Sequence, residues 1–339
     1  MPYSPKRFAS ALILSLSFLA ASSLQADNTG DNLPGLLKFK EWTVPWENTR
    51  PRDPYVAPDG TVWFVGQVGN YVARLDPKNG DMQKFDIPGA GPHTVVVSDK
   101  GTPWYAGNKD KHIGKMNPDN GEVTRFTMPE GIDDPHTMGW TSKGNLWFTA
   151  QWSNFIARLN TETGTVEKVT LPRDNMRPYG LVVGPDDRPW IALMGDNAIA
   201  TINPETMKLD VIETPTEDSL IRRIAMTSDG RIWWGDNALG HIGVYDPQQE
   251  TMQEWSTPGG EGAGIYALAV DHKDRVWYVE TGVQPNRFVG FDSRSEQFIA
   301  IDAVPSGGVT IRHMVFDKDS QAIWFATDAN TVGKAVVPE

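Results

Sequence analysis

The sequence predicts an all-β fold: a single seven-bladed β-propeller of four-stranded blades, its ring closed by the N-terminal strand. Three observations carry this. Trp recurs at Trp63, Trp104, Trp147, Trp190, Trp233, Trp277 and Trp324, at spacings of 41, 43, 43, 43, 44 and 47 residues. Each Trp sits in the second of four short strands, and four strands per repeat of about 40–50 residues mark a propeller blade. The repeat from Arg312 to Val337 has three strands only, while LLKFKEWTVP (36–45) reads like the fourth strands MQKFDIP (82–88), VTRFTMP (123–129) and MQEWSTP (252–258). The first strand therefore completes the last blade, which removes two open sheet edges.

The turns between strands have their own chemistry. Asp59-Gly60, Lys143-Gly144 and Asp229-Gly230 supply tight connections between first and second strands. DPKNG (76–80), NPDNG (117–121) and NTETG (160–164) reverse the chain after the third. No helical periodicity appears after the leader. The repeated Trp residues lie beside apolar neighbours and are read as packing between blades. Trp152 and Trp234 fall outside that register, and Trp152 is placed in a loop near the candidate face.

Composition narrows the function. A hydrophobic content of 39% over 339 residues is ample for a core, and a net charge of −12 argues against a nucleic-acid backbone as partner. Lys6-Arg7, an apolar run from Phe8 to Ala21 and Leu24-Gln25-Ala26 read as a signal peptide over 1–26. The propeller then occupies 27–339, as a periplasmic or secreted monomer with no membrane anchor. The chain has no Cys, which excludes thiol catalysis, Cys-zinc sites and c-type haem attachment. No GxGxxG helix start, Walker loop, GxSxG elbow or HExxH motif is present.

Candidate site residues follow from the blade register. First strands line the channel, so their starts and the ends of the second strands share one mouth. Eleven residues before each Trp stand Arg52, His93, His136, Tyr179, Arg222, Tyr266 and His313. Three residues after each Trp stand Gly66, Gly107, Ala150, Leu193, Asp236, Glu280 and Thr327. One mouth thus gathers His, Arg and Tyr with two acids on neighbouring blades. His313, Arg52, His93 and His136 form a continuous arc around the closed ring. Neighbouring arginines would keep these imidazoles neutral, as suits a base or metal ligand, and the same arc would also clamp an anion. A merely solvated channel mouth is the competing reading.

The segments PHTMGWTSKGNLWFTAQWSNFIARLNTETG (135–164) and PYGLVVGPDDRPWIALMGDNAIATINPETM (178–207) resemble the virginiamycin B lyase (streptogramin lyase) family, and the resemblance runs from about Leu36 to Pro338. It implies a C–O lyase that opens a cyclic ester by elimination, with a His base and a Mg²⁺ held by Glu. The base position falls on Tyr266, one metal position on Gly264 and the other on Glu280. A substrate-contacting His position falls on Arg222.

The expectation is a small-molecule ester or lactone as ligand, His136, His93, His313 and Tyr266 as acid–base candidates, and Arg52, Tyr179 and Arg222 as substrate contacts. Glu280 and Asp236 are the expected metal ligands. The alternative is a non-catalytic periplasmic propeller that binds a ligand or a protein. A gluconolactonase-like metal hydrolase fits less well, since those propellers have six blades.

Overall fold

The computed structural model describes residues 33–339; the segment 1–26, expected from the sequence to be a signal peptide, lies outside the described residues. Twenty-eight strands form seven four-stranded antiparallel sheets. Blades 1 to 6 are built from consecutive strands, beginning at Pro51, Pro92, Pro135, Pro178, Ile221 and Ile265. Blade 7 takes three strands from Ile311–Val336 and its outer strand, Lys38–Thr43, from the N-terminus. Lys38 pairs with Val336 and Thr43 with Thr331, which closes the ring. Among the described residues, no helix is long and apolar enough to cross a membrane.

The repeated Trp explains why each blade forms. All seven are buried. In blade 1, Arg74 of the third strand lies 5.5 Å from the Trp63 ring, and Phe85 of the fourth stacks on it at 5.7 Å. Blade 2 repeats this with Lys115 and Phe126 around Trp104, at 5.6 and 5.2 Å. In blade 7 the cation is Lys334 and the stacking ring is Trp42, 5.6 Å from Trp324. Trp42 comes from the N-terminal strand, so that strand supplies the same part that Phe85 supplies to blade 1. Apolar clusters then join neighbouring blades, such as Trp63 and Val72 against Val95, Val97 and Tyr105.

One irregularity positions the site. Every inner strand slips its register against the second strand at the same place, between Arg52 and Tyr55, Pro92 and Val95, Pro135 and Met138, and so on through Ile311 and Met314. A β-bulge sets two residues against one and re-aims their side chains. In an unbroken strand, consecutive side chains point to opposite faces; at these bulges two adjacent residues serve the channel.

Candidate functional site

The bulges of all seven blades meet in the channel and fill it with polar groups. Arg52, His93, His136, Tyr179 and Tyr266 are all at most 8% exposed. The His93 and His136 rings lie 3.3 Å apart between centroids, and His136 is 4.3 Å from Tyr179. The hydroxyls of Tyr179 and Tyr266 form a short hydrogen bond. Arg222, half-buried at the mouth, sets its guanidinium carbon 4.5 Å from the centre of the Tyr266 ring. Trp152 lies farther out, with Arg177 4.5 Å over its ring.

Two charged residues that a single register misses hold this cluster together. Asp53 and Arg223 each follow a ring position by one residue, and the bulge turns both inward. Arg223 donates from Nε to the Arg312 carbonyl (3.0 Å), from Nη1 to Thr137 Oγ1 (3.1 Å) and from Nη2 to Asp53 Oδ2 (3.2 Å). One side chain of blade 5 thereby ties blades 7, 3 and 1 across the channel. Arg52 donates from Nε to Asp53 Oδ1 at 3.0 Å and from Nη1 to Gln67 at 3.0 Å, while its buried Nη2 has no partner. Thr94 completes the carboxylate with a hydrogen bond of 2.9 Å to Asp53 Oδ2. The signal was present in the sequence: the residue after each ring position reads Asp53, Thr94, Thr137, Gly180, Arg223, Ala267 and Met314.

His313 needs a correction of one residue. Trp324 pairs with Val315, nine residues earlier, whereas Trp63 pairs with Tyr55 and Trp104 with Val96, eight earlier. The extra residue makes Arg312 the structural equivalent of His93 and His136, and it ion-pairs with Asp328. His313 takes the second bulge position, the one held by Arg223 in blade 5. It therefore lies deeper in the channel than the arc predicted from spacing.

The electrostatics separate the residues by role. Burial would raise the pKa of Asp53, but Arg52, His313, Arg223 and the Thr94 hydroxyl outweigh it and keep the carboxylate ionised. Burial, then Arg52, His136 and Arg223, push the His93 imidazole well below its usual range. Burial and then Arg223 and Arg52 do the same for His136. His313 is pushed down to about 3 by burial and Arg223. The tyrosines diverge. Burial and the neighbouring Tyr266 oxygen push Tyr179 up to about 12. Burial opposes ionisation of Tyr266 too, yet Arg52, Arg222, Arg223 and the hydrogen bond from Tyr179 outweigh it, leaving this phenol more acidic than an ordinary tyrosine. Opposed shifts in two neighbouring groups are what an acid–base pair requires.

The two acids are tied up by their own loops. Glu280 Oε1 accepts the Gly259 N–H at 3.0 Å and Oε2 pairs with Arg287 Nε. Asp236 Oδ1 accepts the N–H groups of Leu220, Ala238 and Leu239, at 2.9 to 3.3 Å, leaving only Oδ2 without a partner. Gly264 offers no side chain, and among the described residues no group of three or more His, Asp or Glu could hold a metal ion. A divalent cation needs several oxygen ligands, and one free carboxylate oxygen does not fit it.

Fold and site together define a seven-bladed propeller whose channel is packed with arginine, histidine and tyrosine around one buried carboxylate. The virginiamycin B lyase family model matches residues 37–335, and the chain belongs to that family. Among solved structures, it is similar to virginiamycin B lyase from Staphylococcus aureus, with 22% identity and a TM-score of 0.81 over 89% of this chain and 100% of that one. A streptogramin B lyase gives 23% identity and a TM-score of 0.79, over 89% and 98%. Hydrazine synthase from Kuenenia stuttgartiensis shares the fold as well, at 14% identity and a TM-score of 0.71, over 87% and 97%. At these identities the likeness is one of fold. No curated protein sequence matches the chain.

Proposed function

We propose that this chain is an exported C–O lyase that opens a cyclic ester or lactone by elimination, with Tyr266 as the base and arginine in place of a metal ion. The observation that carries this reading is Tyr266 itself. It falls at the base position that the family resemblance implies, shares a short hydrogen bond with Tyr179 and lies under the Arg222 guanidinium.

The ionised phenol takes a proton α to a carbonyl. The resulting enolate charge falls on the carbonyl oxygen, where Arg222 and the free Nη2 of Arg52 stabilise it. The C–O bond at the β-carbon then breaks, the ester carboxylate leaves, and a carbon–carbon double bond remains. The phenol returns its proton to the leaving carboxylate or to water, and no water is consumed. Nothing in this scheme draws on Glu280 or Asp236.

Turnover of cyclic depsipeptides and lactones in heavy-oxygen water tests the reaction type. Elimination yields an unsaturated product with no label. Label in the product, or no turnover across the panel, contradicts the proposal. A second reading, a non-catalytic binding propeller, is favoured by the burial of the ring, since His93 and His136 are 4% and 3% exposed. It predicts ligands that bind and are recovered unchanged.

A further inference from the structure

The channel has a second end. Inner strands start at the Tyr266 mouth, where Ile221 pairs with Asp236 and Ile265 with Glu280. Their later halves reach the opposite face, and there blades 4 to 7 line an open cavity of about 260 Å³. Its walls are apolar, formed by residues such as Leu181, Leu268, Met314 and Phe316, and Arg223 and His313 are its only polar side chains. Small-molecule sites have this composition, an apolar body with a few convergent polar groups.

The two polar groups define the ligand's head. Arg223 spends one hydrogen bond from each nitrogen on Arg312, Thr137 and Asp53, and a guanidinium has five N–H groups, so each Nη keeps one to offer. Its charge is not fully balanced, because Asp53 also pairs with Arg52. His313 donates Nδ1–H to the Met314 carbonyl at 2.8 Å, which leaves Nε2 as a lone pair with no partner among the described residues. An excess cation beside a proton acceptor, at the end of an apolar pocket, suits an acid with an apolar tail.

We propose that this cavity binds a small aliphatic or aromatic carboxylate, its tail on the apolar wall and its head between Arg223 and His313. A carboxylate oxygen facing Nε2 needs a proton between them, so binding takes one up from solvent, held between the carboxylate and His313. Arg223, Arg52 and Asp53 are the charged groups around that proton, and His93 and His136 are the nearby neutral ones. The inference does not depend on any reaction at Tyr266.

Calorimetry of the full chain with octanoate, 1-octanol and acetate tests it. Octanoate should bind once per chain, at least tenfold more tightly than either control, with a heat that varies with the buffer's ionisation enthalpy. Val182→Glu, which adds an anion to the half-buried wall, should weaken octanoate at least tenfold, and Tyr266→Phe should not change it. The His313 ring resonance in the unaltered chain gives a readout that does not rest on variant folding, and it should shift on octanoate addition. No octanoate binding, octanol binding as tightly as octanoate, a Val182→Glu variant that binds normally, or a His313 signal that stays fixed would each overturn the site.

Discussion

Asp53 carries more of the site than any residue chosen from spacing. It is 1% exposed and serves both buried guanidiniums, so Asp53→Asn leaves Arg52 and Arg223 facing each other without a counter-charge. Removing one partner of a buried ion pair costs about 3–5 kcal/mol, and urea unfolding should show a loss in that range. The imidazoles set a pH dependence. His93 and His136 are neutral in the fold because their pKa values are depressed, so the unfolded chain binds more protons below about 6.5. Stability is therefore complete above that pH and falls as pH drops beneath it, by up to about 1.4 kcal/mol per pH unit for each histidine. Urea midpoints at pH 7 and pH 5 check this, and a His93→Gln, His136→Gln double variant should lessen the dependence to the share that the buried His313 keeps. Why did spacing find His93 and Tyr266 but not Asp53 or Arg223? A fixed distance from Trp selects one residue per blade, and the bulge delivers two. The partner of Glu280 was equally hidden, since Arg287 meets it only through pairing of adjacent strands.

At the scale of the element, the bulge also fixes where glycine is required. Gly180 is the second bulge residue of blade 4, and a Cβ there would sit 2.5 Å from the Arg222 carbonyl oxygen and 2.9 Å from the Arg223 Cα. Both neighbours are backbone and cannot swing aside. Gly180→Ala should push the Arg222–Arg223 segment out of place, at a cost of about 1–3 kcal/mol, and disturb Tyr266 through Arg222. Thermal unfolding and the tyrosine titration would both register it. The strand pattern and the Trp register were legible because each repeats seven times, and the turns because their Gly, Asn and Asp recur in several blades. The single added residue in blade 7 was not, because spacing from Trp324 assumes equal strand pairing, and only the observed register moves Arg312 into the first bulge position and His313 into the second.

The whole molecule depends on closure. The N-terminal strand supplies Trp42 to the Trp324 stack and Phe39 to a cluster with Phe288 and Phe325. A chain beginning at Asn48 loses this strand, exposes both edges of the gap and should unfold at a markedly lower temperature than the intact protein. Closure also matters to the chemistry, because Arg223 reaches blades 7, 1 and 3 only when the ring is shut. Seven blades together place more positive than negative charge around Tyr266, and so make that phenol the acidic member of a tyrosine pair. Titration of ring-labelled tyrosine by NMR, assigned with Tyr266→Phe and Tyr179→Phe, measures this directly. Tyr266 should ionise below 10 and Tyr179 well above it, near 12; a Tyr266 that ionises at or above 10 would contradict the account.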